Sequence, residues 1–256
     1  MNSYNNYVSY SFETTKPEKI NYYKLYERNP TYAAIRFILE CCQKLELKPS
    51  TFAHAATIFH RFHKNLERSD YDKFATATAS IFLGSKVNEN ELRLKDLINV
   101  SQVTLNREEF FNEMTNNTWI LSIRDTIVQC EMFIMRVLDF SPQTTLPHIY
   151  LLNYINTLEN WLPDEIISQI PISKCAMSLL QDFFYNSNIV SYAPDEIALA
   201  VLVATFQIYG LKIPLIDDHD TWFKIFNPDM KIDLIWEIID ELLKVFEVEE
   251  GVQNLL

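Results

Sequence analysis

Apolar residues recur every three or four positions along most of this chain, which is the spacing of α-helices that bury one face. In the first half the pattern predicts five helices, namely 30–46, a helix opened by Pro49, 71–87, 92–103 and 120–139. In the second half it predicts five more, over 147–161, 171–187, 194–209, 219–226 and 231–248. A short helix over 17–27 follows an N-terminal tail without a period, and 104–118 is predicted as an exposed loop. The sequence therefore predicts an all-α protein.

The third helix of the first half has almost no polar face. Between Phe74 and Ser85, eight of the twelve residues are Ala, Thr, Ser or Gly. A helix without a polar face is buried, and small side chains let its neighbours approach closely. The alternation of Ala and Thr is also compatible with a strand. The capping-box pattern of Ser69 to Asp72 and the unbroken apolar run that follows favour a central helix.

The second half repeats this arrangement. Its third predicted helix, 194–209, is again small and apolar, and Gly210 follows it as a C-terminal cap. Two sets of five helices with similar lengths indicate an internal duplication, with a boundary near 141–146. We therefore divide the chain into an N-terminal tail and short helix (1–29), a first five-helix unit (30–143) and a second (144–256).

Composition and charge exclude several classes of function. With only three glycines, far apart at 84, 210 and 251, the chain has no Gly-rich phosphate-binding loop. A net charge of −12 disfavours DNA or RNA as the main ligand. The longest apolar run, 197–206, is too short to span a membrane. The four cysteines form no CxxC pair, which with the absence of a signal-peptide pattern indicates reduced thiols in the cytosol or nucleus.

Candidate chemistry is sparse. His54, His60 and His63 lie close together on one predicted helix, but no cysteine or carboxylate joins them at ligand spacing, so ordinary surface or core histidines are the better interpretation. The run Asp217–Asp220 resembles a carboxylate metal loop, although an acidic helix cap explains it better. We predict no catalytic residue, no metal and no cofactor, and the hypothesis of an all-α enzyme has no supporting set of residues.

Two stretches resemble a known family. FLGSKVNEN (82–90) is similar to the end of the third helix of the cyclin box, and CEMFIMRVLDF (130–140) is similar to its fifth helix. Tandem five-helix repeats are the architecture of cyclins, and the resemblance covers roughly Pro30 to Val248. It implies two cyclin boxes, at 30–143 and 144–256. Within the family, 123–140, 147–162 and 222–227 are most similar to the cyclin Q (cyclin M) subfamily, which activates cyclin-dependent kinase ten.

The resemblance implies a regulatory subunit that has no chemistry of its own and forms a heterodimer with a cyclin-dependent serine/threonine kinase. In cyclins, a lysine and a glutamate at the positions of Lys86 and Glu131 bind the kinase backbone around the αC helix of the kinase. The cyclin thereby holds that helix in its inward position. The apolar residues with which cyclins contact that helix correspond to four residues of this chain, Leu83, Val87, Met135 and Phe140. A simpler interpretation of Lys86 and Glu131 is an ion pair within the chain. From the acidic charge, the short apolar runs and the reduced thiols, we expect no direct nucleic-acid or membrane contact and a location in the nucleus or the cytoplasm.

The first-helix motif of the family is matched by Arg36 and Leu39, with two departures nearby. His60 stands where cell-cycle cyclins usually have an Asp that pairs with the arginine, and Cys42 stands where they present a docking Trp. We therefore expect no substrate-docking groove of that type. The alternative function is a transcription-factor-like cyclin fold that binds DNA or the transcription machinery, but DNA binding requires basic surfaces, which this acidic chain disfavours.

Overall fold

The structure, a computed structural model, describes residues 21–66, 71–105, 117–161, 170–211 and 222–253. These residues form α-helices without any strand. The helices are α1 (Tyr22–Arg28), α2 (Pro30–Lys44), α3 (Pro49–Asn65), α4 (Lys73–Val87), α5 (Leu94–Leu105), α6 (Asn117–Val137), α7 (Pro147–Glu159), α8 (Ile172–Phe183), α9 (Pro194–Tyr209) and α10 (Ile232–Gln253), with 3-10 helices at Ser187–Ser191 and Trp222–Ile225. The all-α prediction is confirmed.

Helix α4 is the centre of the first half, as its small side chains predict. It packs against α2, α3, α5 and α6, and ten of its residues are buried. The threonines and serines inside it satisfy their hydroxyls on the preceding turn; Thr78, for example, donates to the carbonyl of Phe74. These bonds remove the cost of burying hydroxyls, so a chain of Ala, Thr and Ser can form a core helix.

Gly84 sets how closely α3 approaches α4. A Cβ added at Gly84 would lie 3.0 Å from the backbone nitrogen of Ala55 and 3.1 Å from the carbonyl oxygen of Thr51. Both are backbone atoms of α3, and they cannot move without shifting that helix. Glycine at this position is therefore required by packing, because a glycine inside a helix otherwise costs about 1 kcal/mol relative to alanine.

We expect Gly84→Ala to lower the free energy of unfolding by about 1–2 kcal/mol, because overpacking outweighs the gain in helix propensity. Gly251→Ala is the matched control, since Gly251 also lies in a helix but has no atom within 4 Å of an added Cβ. It should leave stability unchanged or raise it by up to about 1 kcal/mol. Urea unfolding of both variants measures the difference, and equal stabilities would contradict close packing at Gly84.

The second half is arranged around α9, which packs against α7, α8 and α10. Nine of its sixteen residues are buried, and Gly210 ends it in the left-handed conformation, with φ of 63°. Glycine adopts this conformation without a steric cost, as the sequence predicts.

The two halves meet along α2 and α3. His60 of α3 donates a hydrogen bond to the carbonyl of Phe184, at 2.8 Å, and the Phe184 ring packs on Phe52 with centroids 6.0 Å apart. On α2, the Tyr32 ring lies 4.9 Å from the ring of Tyr185. The larger of the two core clusters is thus continuous across the boundary between the two halves, while a smaller cluster lies within the first half.

Local details differ from the sequence predictions at several helix ends. Helix α4 is capped by Asp72, whose carboxylate accepts from the backbone N–H of Phe74, while 67–70 lie outside the described residues. The predicted helix over 171–187 ends at Phe183 and is followed by a 3-10 helix. The two ends of the predicted loop 104–118 are helical, because 104–105 belong to α5 and 117–118 belong to α6. These differences arise because hydrogen bonds to nearby residues, rather than apolar spacing, decide where a helix stops.

Candidate functional site

The end of α4 lies beside the middle of α6, and this brings Lys86 and Glu131 together. The Lys86 ammonium donates a short hydrogen bond to Glu131 Oε1. Lys86 also lies over the ring of Phe82, one turn earlier, with its nitrogen 4.1 Å from the centroid. The lysine side chain is 52% exposed, whereas that of Glu131 is 12% exposed. The simpler interpretation, an ion pair within the chain, is therefore what the unbound chain contains.

The four apolar positions around this pair differ in their exposure. Leu83 is 3% exposed and belongs to a small core cluster with Ile134 and Leu138. Met135 is partly buried against the same cluster, and Val87 is half-buried at the end of α4. Leu83 therefore supports the surface from beneath, and its direct contact with a kinase stays a prediction.

Phe140 is the most exposed member of the set, at 63%. It follows α6 in the left-handed conformation, with φ of 56°, directly after Asp139 with φ of 50°. Its backbone N–H donates to the carbonyl of Met135 at 2.8 Å, which closes the last turn of the helix. Glu46 and Glu89 follow α2 and α4 in the same left-handed conformation, which is a common way for a helix to end. The chain ends α6 in a way that holds a phenylalanine in solvent.

An exposed apolar stripe on α6 continues this surface, and it was missed by the sequence analysis. Leu121, Val128 and Met132 are 51%, 39% and 45% exposed. Val128 and Met132 flank Glu131 along the helix, so they border the ion pair. The signal was a second apolar series at helical spacing beside the buried one, which makes α6 apolar on two faces. A stripe of this kind, next to a fixed pair of charges, is typical of a protein interface.

The first-helix residues Arg36 and Leu39 lie elsewhere. Arg36 Nη1 is 3.9 Å from Glu249 Oε1 of α10, so its carboxylate partner comes from the second half rather than from the position of His60. Leu39 is partly buried against the main core, and the Cys42 side chain is buried. No aromatic docking platform is formed at Cys42.

The histidines have partners that explain them without a metal. His54 contacts the carbonyls of Ser50 and Thr144, and His63 contacts the Thr76 hydroxyl at 3.0 Å. Burial lowers the pKa of His60, His63 and His148 to about 4 each. Within the described ranges, no group of three or more His, Cys, Asp and Glu residues could hold a metal ion. Asp217–Asp220 lie outside these ranges.

None of the described helices is both long enough and apolar enough to cross a membrane. The fold and the site together define an all-helical binding module. Its candidate site offers a fixed cation–anion pair, exposed apolar side chains and no catalytic constellation.

Comparisons with known proteins agree with this class. The model of the cyclin N-terminal domain matches residues 8–142, more than half of the chain. Cyclin-K of Danio rerio is 22% identical over 214 residues, which cover 82% of this chain and 48% of that protein. Cyclin-T1 of Mus musculus is 20% identical over 214 residues, which cover 84% of this chain and 28% of that protein. The yeast RNA polymerase II CTD kinase complex CTDK-1 contains a chain with a TM-score of 0.69 and 17% identity, over 88% of this chain and 68% of that chain.

The chain belongs to the cyclin family. Cyclins are regulatory subunits and not enzymes. The chain spans about half or less of the length of the curated relatives described above.

Proposed function

We propose that this chain binds a cyclin-dependent kinase and activates it by positioning the kinase αC helix. The observation that carries the proposal is the surface formed by α4 and α6. There, Lys86 and Glu131 lie side by side, exposed Val128 and Met132 lie next to Glu131 along α6, and exposed Phe140 follows the end of that helix. Apolar contacts at the centre supply affinity, and a fixed pair of charges sets the register of the bound helix.

Activation follows from differential binding. An inward αC helix allows the kinase lysine–glutamate pair to form, which the phosphate-binding site needs. Raising the active fraction from about 1% to about 99% requires that the cyclin favours the active state by roughly 5.5 kcal/mol. An interface on the order of 2,000 Å² or more can supply this difference. The exposed apolar residues of α6 lie along about three helical turns, from Leu121 to Met132, which gives such an interface a long contact edge.

For the particular kinase, we propose one of the cyclin-dependent kinase ten type. The support is the resemblance of 123–140, 147–162 and 222–227 to the cyclin Q subfamily. The relatives found by comparison carry other names, Cyclin-K and Cyclin-T1, at low identity. Since the similar yeast complex is an RNA polymerase II CTD kinase, a kinase of that class is the alternative partner.

Affinity purification of the full chain from cell extract, with identification of the bound kinase by mass spectrometry, tests this assignment. We expect a stoichiometric cyclin-dependent kinase whose activity depends on the added chain. Recovery of kinase ten supports the finer proposal, and recovery of a polymerase-tail kinase replaces it. A preparation that binds DNA in a low-salt gel shift and retains no kinase would contradict the proposed function.

A further inference from the structure

Ser141 begins the segment that joins the two halves, and its side chain is accessible to a modifying enzyme. Residues 141–146 form no helix, and Ser141 is exposed. The backbone N–H of Ser141 donates to the carbonyl of Leu138 at 2.9 Å, whereas the hydroxyl makes no hydrogen bond with any described residue. A fixed turn therefore presents a hydroxyl without a partner to solvent.

The residue after Ser141 restricts the class of enzyme that can use this hydroxyl. Pro142 has no backbone N–H, and it disfavours the helical conformation at Ser141. Protein kinases accept a substrate hydroxyl on an extended chain, and proline-directed kinases require a proline next to it, since they use no hydrogen bond from that position. Ser141–Pro142 is the only Ser-Pro or Thr-Pro pair among the ten prolines of the sequence. The chain therefore offers one candidate residue to a kinase of this specificity.

A guanidinium group already lies beside Ser141. Arg61 Nη1, on α3, donates to the Ser141 carbonyl at 3.0 Å. The ion pairs among the described residues involve other cations, so no described carboxylate neutralises Arg61. Because the bonded carbonyl and the hydroxyl belong to one residue, a phosphate on Ser141 comes within reach of the remaining N–H groups of Arg61. The planar fork of five donors matches the oxygens of a phosphate.

The surrounding charges favour one direction for such a phosphate. Asp139 is exposed and is the carboxylate nearest to Ser141 along the chain. Like charges repel, so a phosphate on Ser141 turns away from Asp139 and towards the guanidinium of Arg61.

We propose that Ser141 is a phosphorylation site of a proline-directed serine/threonine kinase and that its phosphate pairs with Arg61. In the transfer from ATP, the bond between Ser141 Oγ and the γ-phosphorus forms, and the bond from that phosphorus to the oxygen bridging the β-phosphate breaks. ADP leaves, and the hydroxyl proton is released. The phosphate adds a charge of about −1.5 to −2, and its pairing with Arg61 fastens the joining segment to α3. The inference does not rest on the proposed function, because any kinase of this specificity can supply the phosphoryl group.

Incubation of the full chain with ATP and a purified mitogen-activated protein kinase, which is proline-directed, tests the site. We expect mass spectrometry to locate the phosphate on Ser141. Ser141→Ala and Pro142→Ala should each lower incorporation at least tenfold, whereas Ser141→Thr should retain it. Ser122→Ala is the matched control, because Ser122 is exposed on α6 but precedes an isoleucine, and incorporation should stay within twofold. Thermal unfolding shows that each variant is folded.

Phosphorus-31 NMR of the phosphorylated chain tests the pairing with Arg61. A phosphoserine without a partner titrates between its dianion and its monoanion near about pH 6. A neighbouring guanidinium favours the dianion, so the pKa of the phosphate should be about 0.2–0.7 lower in the original chain than in Arg61→Gln. Arg124→Gln is the control, because Arg124 is exposed in the first half of α6, whereas Ser141 follows the end of that helix, and it should leave this pKa unchanged.

The two measurements can overturn the two parts of the proposal separately. Absence of phosphate from Ser141, or equal incorporation in Pro142→Ala and the original chain, would overturn the site. Equal phosphate pKa values in the original chain and in Arg61→Gln would overturn the pairing.

Discussion

Reversing the charge of Lys86 is expected to abolish kinase binding while the helical fold remains intact. Lys86→Glu places an anion beside Glu131, where the ion pair of the unbound chain now lies. The lysine is half-exposed, so the effect on folding should be about 1 kcal/mol or less. Loss of a desolvated charge from an interface typically costs 2–5 kcal/mol, which lowers affinity by about 30-fold to several thousand-fold. Glu131→Lys should have an effect of similar size.

The ion pair of α10 provides a matched control for this variant. Lys244 donates to Glu241, and the exposures of the two side chains, 57% and 14%, are close to the 52% and 12% of the proposed site. Lys244→Glu removes an equivalent contact far along the chain from α4 and α6. It should therefore change stability by a similar amount, while co-purification with the kinase stays at the original level.

The exchanged double variant Lys86→Glu, Glu131→Lys separates an internal role from an interfacial one. An ion pair that serves the chain alone is restored by exchanging its partners, and binding should then recover. If each charge contacts the kinase backbone, exchange places a carboxylate against carbonyls and an ammonium against N–H groups. We therefore expect restored stability without restored binding, measured by thermal unfolding and by co-purification. Recovery of kinase activation in the exchanged variant would contradict the proposed contact.

The buried α4 could be predicted because its evidence is local. Eight small residues in twelve leave no polar face, and the hydroxyls among them are satisfied within the same helix, as Thr78 and Ser80 show. Gly84 lies where α3 approaches most closely. In such a segment the composition alone determines burial, so no knowledge of distant residues is needed.

The contacts between the halves could not be predicted in the same way. His60 bonds to Phe184, which is 124 positions away, and Arg36 finds Glu249 on the last helix. Apolar spacing indicates which face of a helix is buried but not which element covers it. The partner of Arg36 is set by how the two repeats pack, and the sequence therefore does not indicate it.

The candidate site could be predicted in part. Resemblance brought Lys86 and Glu131 together, and the structure places them in contact. Whether Leu83 faced outward could not be deduced, because α4 is apolar on every side and the motif gives no direction. Val128 and Met132 belong to a second set of apolar residues at helical spacing, and both are exposed. The sequence analysis overlooked this set because the buried set of apolar residues was already sufficient to predict the helix α6.

Phe184 lies between the buried His60 and the half-buried His148, and this arrangement predicts sensitivity to acid. His60 donates to the carbonyl of Phe184, and the His148 ring stacks on the Phe184 ring with centroids 5.6 Å apart. Burial lowers the pKa of both histidines to about 4. His148 Nδ1 is buried without a hydrogen-bond partner, so a proton added there would also lack an acceptor. Charging either histidine therefore destabilises the packing around Phe184.

The direction of the pH dependence follows from these pKa values. An unfolded chain protonates its histidines below about pH 6.5, whereas the folded chain does so only near pH 4. Stability is therefore present above pH 6.5 and is lost as the pH falls from 6.5 towards 4. Burial, with the nearby Glu249 charge, raises the pKa of Asp182 to about 6, which works in the opposite direction between pH 4 and 6. Because Asp182 is partly exposed, its offset should be no more than about 1–2 kcal/mol.

We expect each of the two histidines to remove about 2 kcal/mol of stability between pH 7 and pH 5. Urea unfolding at pH 7, 6 and 5 measures the total, to which His63, whose pKa is also lowered to about 4, contributes as well. His60→Gln keeps an N–H donor near the Phe184 carbonyl but cannot be protonated, so it should reduce the loss by about 2 kcal/mol. His148→Phe preserves ring stacking and removes the unpartnered nitrogen, and it should act similarly. A pH dependence that is identical in the original chain and in both variants would show that His60 and His148 do not control acid unfolding.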